Sequence, residues 1–138
     1  MKAKFPIQRR LPHEEPASED SQQVSAMRHR AHEVLVRRGL VHVADEAELV
    51  VCELITNAIQ HSGGREVTLS LALREGFLQI VVSDGGLGYK PRPAPPGAAD
   101  EHGRGLFLVQ AIADGRGGSW GTCDAGAATW CELGLAAG

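Results

Sequence analysis

Phe77-Leu-Gln-Ile-Val-Val-Ser-Asp-Gly-Gly-Leu-Gly88 carries the sequence from an apolar strand straight into a carboxylate and a run of glycines. Strand-forming residues fill its first half. Asp84 ends the strand, and the glycines after it allow the backbone to approach another group with no Cβ in the way. Upstream, Val67, Leu69 and Leu71 alternate with Thr68 and Ser70, and Glu75-Gly76 forms a turn. The two strands therefore read as an antiparallel hairpin.

Outward from the hairpin, the pattern changes to helical period. Val50, Val51, Leu54, Ile55, Ala58 and Ile59 predict a helix over about residues 44–61, stopped by Ser62-Gly-Gly64. Asp45, Glu46 and Glu48 fall near its start, where the helix dipole favours negative charge. Val41–Ala44 is expected as a short connector. Val24, Met27, Ala31, Val34 and Leu35 predict an earlier helix from about Ser18 to Gly39. Downstream, residues 85–103 hold five Gly and four Pro. This excludes a regular element and suits a lid. A third helix follows over about Gly105–Ala113, then a final hairpin, Ser119–Asp124 and Thr129–Leu135. The expected fold class is α+β, a two-layer sandwich of a mainly antiparallel sheet with helices on one face. Residues 1–17 are expected as a flexible arm, with a short strand near Ile7–Leu11, and residues 18–138 as one domain.

The bulk numbers fit this plan and narrow the function. A chain of 138 residues suits a single domain. With 14 Lys+Arg against 17 Asp+Glu and 4% aromatic residues, no basic face or stacking platform for nucleic acid is expected. Cys52, Cys123 and Cys131 have neither disulfide nor zinc-motif spacing. No signal peptide and no apolar stretch near 20 residues is found, so a soluble cytoplasmic protein is expected.

Three short stretches carry chemistry. Glu53 and Asn57 are four apart on one helix and share a face beside apolar neighbours. Oxygen ligands of this type suit Mg²⁺, with Asn57 as a neutral ligand and Glu53 as a base. The competing reading places both at the solvent edge of an ordinary amphipathic helix. Asp84, with Gly86 and Gly88 behind it, can accept a hydrogen bond from an adenine amino group; otherwise it caps a glycine turn. Gly103-Arg-Gly-Leu106 precedes a helix, where free N–H groups bind phosphate and Arg104 can reach a phosphate oxygen, unless the segment is only a hinge. The Gly-x4-Gly-Lys-Ser/Thr and Gly-x-Gly-x-x-Gly fingerprints are both missing. The order of the three stretches therefore describes a nucleotide pocket without a P-loop.

Taken together, Glu53–Asn57, Asp84–Gly88 and Gly103–Val109 resemble the N box and the two glycine boxes of the GHKL ATPase superfamily, the Bergerat fold of histidine kinases, gyrase B and MutL. Within it, the short chain and Gly103-Arg-Gly-Leu-Phe-Leu-Val109 look most like the anti-sigma factor serine/threonine kinases of the RsbW and SpoIIAB type. The resemblance implies ATP and Mg²⁺ as cofactors. It assigns Asn57 to Mg²⁺, Asp84 to adenine, Gly86 and Gly88 to nucleotide contact, and Gly103, Arg104, Gly105 and Leu106 to the phosphates. Glu53 becomes the catalytic base, and Thr129 the late threonine lining the adenine site. His61 closes the N-box helix, as in many relatives. The implied partners are an anti-anti-sigma-like protein substrate and a sigma factor, held by the outer face of the first helix and the lid region. A homodimer is among the implied assemblies; direct nucleic-acid and membrane contacts are not. Ala127-Ala128 stands where relatives often carry Lys or Gly, and Pro91-Arg-Pro-Ala-Pro-Pro-Gly97 stiffens the lid. These departures leave open an alternative, a nucleotide-dependent binding regulator that transfers no phosphate.

Two further features are expected to be structural. His29 and His32 are three apart on the first helix, with no carboxylate or third ligand placed beside them, so they are read as surface residues rather than metal ligands. Trp120 and Trp130 are expected to pack on facing hairpin strands.

Overall fold

The computed structural model of the chain describes residues 2–6, 18–61, 66–83, 101–123 and 128–135. Five strands, β1 (Lys2–Pro6), β2 (Glu66–Arg74), β3 (Phe77–Ser83), β4 (Ser119–Cys123) and β5 (Ala128–Gly134), form one antiparallel sheet in the order β1-β2-β3-β5-β4. Three helices, α1 (Ser18–Arg37), α2 (Val41–His61) and α3 (Glu101–Gly115), complete the fold. This is the α+β sandwich read from the sequence.

The β2–β3 register follows from its turn. Arg74 pairs with Phe77, leaving Glu75 and Gly76 as a two-residue loop. Both have positive φ, 48° and 85°, the conformation that matches the right-handed twist of hairpin strands. With that register Val67, Leu69 and Leu71 of β2 and Leu78, Ile80 and Val82 of β3 are all buried, alternating with partly exposed residues. Helix α2 supplies the other half of the core. Val43, Ala44, Ala47, Val50, Val51, Leu54, Ile55 and Ile59 are buried. Such a wide apolar surface is required because α2 packs on the sheet and also touches α1 on one side and α3 on the other.

Both well-defined helix ends stop at a left-handed glycine. After α1, Gly39 (φ 76°) is followed by Leu40, whose N–H donates to the Leu35 carbonyl at 2.9 Å. After α3, Gly117 (φ 68°) is followed by Gly118, whose N–H donates to Ala113 at 2.8 Å. Each is a Schellman cap, which satisfies carbonyls that the helix leaves free.

The structure corrects several expectations. A strand forms at Lys2–Pro6, earlier than the Ile7–Leu11 stretch, which lies outside the described residues with the rest of 7–17. Residues 2–6 are part of the sheet because they pair antiparallel with β2, Ala3 opposite Leu69, and Ala3 is buried. Pro6 is tolerated there because β1 is an edge strand. Helix α2 starts at Val41, not Ala44, because Val43 and Ala44 belong to the core. Asp45, Glu46 and Glu48 are thus beyond the first turn, which holds no acidic residue. They pair instead with other elements, as described below. Helix α3 starts at Glu101, four residues before the expected Gly105, so residues 101–103 are helical although the glycine- and proline-rich stretch 85–103 was expected to hold no regular element.

Trp120 and Trp130 lie on the paired strands β4 and β5, as expected, but on opposite faces of the sheet. Trp120 is opposite Cys131 and packs against the core, whereas Trp130 is opposite Gly121 on the other face of the sheet. A Cβ on Gly121 would crowd the Trp130 indole ring. Cys52, Cys123 and Cys131 are free thiols. Burial, and to a smaller extent Glu132, pushes the Cys131 thiol up to about 12. Among the described residues no helix is long and apolar enough to cross a membrane.

Candidate active site

Glu53 and Asn57 lie one turn apart in the C-terminal half of α2, and Gly105 of α3 abuts Glu53. Asn57 is buried at 8% exposure, flanked by the core residues Ala58 and Ile59. Its Oδ1 is sealed from solvent and accepts no hydrogen bond among the described residues. A buried, unpaired amide oxygen costs about 1–3 kcal/mol. The solvent-edge reading of this residue is therefore excluded. An oxygen with free lone pairs, sealed from solvent and with no donor among the described residues, is the donor type that a hard cation takes. The residue therefore fits a Mg²⁺ ion.

Glu53 lies one turn earlier on the same face and is half-buried. Burial pushes its carboxyl above the usual carboxylate range. Its side chain fills the space over Gly105 of α3, where an added Cβ would collide with the Glu53 Oε2. The Gly103–Val109 stretch is thus seated directly against the carboxylate of the Glu53–Asn57 stretch. This contact joins two segments 52 positions apart in sequence. It gives Gly105 a steric reason to be glycine that the sequence pattern does not reveal.

Gly103 and Arg104 lie in the first turn of α3. Their N–H groups are among the four that a helix leaves without an internal partner. Gly105 and Leu106 come after that turn, so their N–H groups fall beyond the four free ones expected to bind phosphate, and the Leu106 side chain is in the core. Thr129 is buried on β5, opposite Val82 of β3 and Thr122 of β4. Directly opposed residues share a sheet face, so Thr129 faces the helix layer with Val82. The next pair, Ser83 with Ala128, is the last before Asp84. Asp84, Gly86, Gly88 and the rest of 84–100 lie outside the described residues, as does the side chain of Arg104.

The opposite end of α2 is held by a polar clamp that the sequence did not signal. Arg116, just after α3, donates from Nε to Glu46 Oε1 at 2.9 Å, from Nη1 to the Gly134 carbonyl at 3.1 Å and from Nη2 to the His42 carbonyl at 2.6 Å. His42 Nε2 lies 2.9 Å from the Leu135 carbonyl. The clamp ties α2, α3 and β5 together and so fixes the helix that carries Glu53 and Asn57. Only the tertiary fold brings residues 42, 46, 116 and 134 together, so no local pattern could have shown it.

Comparison with known proteins agrees with this geometry. A search of curated proteins finds no match. Residues 17–117 match the model of the histidine kinase-like ATPase domain. That span holds α1, α2, the β2–β3 hairpin and α3, including Glu53, Asn57 and Gly105. With most of its length in the match, and with the fold and helix layer in the arrangement described, the chain belongs to the histidine kinase-like ATPase domain family.

Proposed function

We propose that this domain is an ATP- and Mg²⁺-binding protein serine/threonine kinase of the anti-sigma factor type. The observation that carries the proposal is the pairing on one helix of an orphaned buried oxygen, Asn57 Oδ1, with a half-buried carboxylate, Glu53. The first suits a metal ligand and the second a base. Burial disfavours the ionised form of Glu53, which strengthens its appetite for a proton. In this reading Glu53 would take the proton from a substrate Ser or Thr hydroxyl as that oxygen bonds to the γ-phosphorus of ATP, the bond to the β–γ bridging oxygen breaks and ADP leaves. Gly105, pressed on Oε2, limits where that carboxylate can sit. Gly103 and Arg104, at the start of α3, are assigned to the phosphates, and Leu106 follows them into the core. Thr129 is assigned to the adenine side with Asp84, Gly86 and Gly88. Mg²⁺, when held by Asn57, supplies positive charge against the phosphates.

The substrate in this reading is an anti-anti-sigma-like protein. A sigma factor is the second partner, and the setting is cytoplasmic. The competing reading, a nucleotide-dependent regulator that transfers no phosphate, needs Asn57 and the glycines but has no use for a basic Glu53.

The deciding experiment incubates the protein with Mg²⁺, radiolabelled ATP and a candidate anti-anti-sigma protein. Label on a substrate Ser or Thr that disappears with Glu53→Ala, while ATP binding is retained, supports the kinase. Binding without transfer to any candidate favours the regulator. Unchanged ATP affinity in Asp84→Asn would refute the adenine role.

A further inference from the structure

Where α1 crosses α2, His32, Asp45 and Glu48 form a cluster that the sequence spacing did not predict. His29 and His32 appeared to lack companions, and the nearby Glu33 pairs with Arg37 instead. The structure provides two carboxylates from the next helix, for His32 alone. His32 Nδ1 lies 3.0 Å from Glu48 Oε2 and 3.6 Å from Asp45 Oδ1. One ligand atom from each residue falls within 4.8 Å of the others.

The chemistry of Nδ1 decides how the cluster is read. This atom is sealed from solvent, and despite its closeness to the carboxylates it makes no hydrogen bond. The short separation reflects opposed charges or lone pairs in range, without the alignment of a donor to an acceptor. A nitrogen and two carboxylate oxygens thus share one small volume, and a cation between them would offset the repulsion of the two carboxylates. Zinc bonds of about 2.0–2.2 Å place ligand atoms about 3–4 Å apart. That spacing is reached by a small adjustment of the Asp45 side chain, which is 91% exposed and free to move.

Glu48 is already oriented for the task. Arg28, one turn before His32, lies with Nε 3.2 Å from the other oxygen, Oε1. Arg28 Nε, which like His32 Nδ1 makes no hydrogen bond, is thus in ion-pair range of one Glu48 oxygen, while the other lies beside the imidazole. Nitrogen with two carboxylate oxygens, and open positions toward solvent, is a donor set that zinc accepts.

We infer that His32, Asp45 and Glu48 form a divalent transition-metal site, with zinc as the cation of choice, which staples α1 to α2. The site is separate from Asn57: Glu48 lies more than two turns before it on α2. Occupancy would fix the packing of α1 against the helix that carries Glu53.

The test titrates the intact, nucleotide-free protein with zinc chloride by calorimetry, and follows thermal melting and the His32 ring ¹⁵N resonances. Wild type is expected to bind one zinc ion with a rise in melting temperature and a shift of the His32 Nδ1 signal. Asp45→Asn, at an exposed position that does not threaten folding, and His32→Ala are each expected to weaken binding by more than about tenfold. Absence of saturable binding by wild type would mean that the cluster is only an imidazolium–carboxylate ion pair, and would overturn the proposal. Equal affinity of wild type and both variants would place the zinc elsewhere and overturn it as well.

Discussion

At one end of α2 each guanidinium nitrogen of Arg116 has a partner; toward the other end, Asn57 has an oxygen with none among the described residues. The Arg116 guanidinium is nearly buried and meets a carboxylate and two carbonyls. Asn57 is as deeply placed, yet its Oδ1 has no partner among the described residues, and Glu53 bears the cost of burial. The two ends lie on one helix in one core, so packing does not explain the difference. Saturated buried polar groups hold a fold together. Unsaturated ones persist when something outside the chain completes them. Under the proposed function, the Arg116 end serves the architecture and the Asn57 end the ligand.

Asn57→Ala tests the unsaturated end and has the largest expected effect. Removing the oxygen is expected to weaken Mg·ATP binding on the order of 100-fold, measured by calorimetry. Stability should not fall, since the substitution deletes an orphaned acceptor and introduces a better helix former. A variant that loses stability and keeps its nucleotide affinity would break the comparison.

Arg116→Ala should behave in the opposite way. It strands the Gly134 and His42 carbonyls and leaves Glu46 unpaired. Because Glu46 is partly exposed, the expected loss is about 2 kcal/mol, below that for a fully buried pair. Denaturant unfolding measures it. Nucleotide affinity, read well below the transition, should stay within about twofold of wild type.

Gly105→Ala probes the contact between the two glycine-flanked segments. Helix propensity favours Ala by roughly 1 kcal/mol, while the new methyl must push the Glu53 carboxylate aside. The free end of a side chain moves easily, so net stability should change by less than about 1 kcal/mol. Phosphoryl transfer in the assay described above should fall about tenfold, because a displaced base costs rate rather than fold. Full transfer activity in this variant would show that Glu53 need not sit where Gly105 holds it.

The layered fold was legible because its signals are local. Period-two alternation in Val67–Leu71 and the apolar stripe from Val50 to Ile59 each state which face is buried, and Glu75-Gly76 and Gly39 state where chains turn. Glu53 and Asn57 were legible as a pair for the same reason: four residues on a helix is a local distance. What could not be read was set by contacts between distant segments. Asp45, Glu46 and Glu48 looked like partners of a helix dipole, yet they pair with Arg28, His32 and Arg116 from other elements. The β1 strand was misplaced because five residues containing two lysines and a proline have almost no strand signal without the β2 edge they join. Gly105 was read as a phosphate contact, and nothing in its neighbourhood pointed to a carboxylate packed on it.

The smallest expected effect is a pH dependence that belongs to Glu53 alone. Burial raises its folded-state pKa above the unfolded value. The folded chain therefore holds that proton more tightly, and between the two values it binds more protons than the unfolded chain does. Stability from this group is fully present below the unfolded pKa and is lost as pH rises through the folded one. Glu53→Gln cannot ionise, so its melting temperature relative to wild type should climb across that window and level off above it. The climb will be modest, since a half-exposed carboxylate is screened by solvent. It should appear in the same variant that abolishes phosphoryl transfer. A carboxylate kept for architecture would give the reverse, a variant less stable at neutral pH than wild type, so the slope of this difference against pH separates a group held for chemistry from one held for the fold.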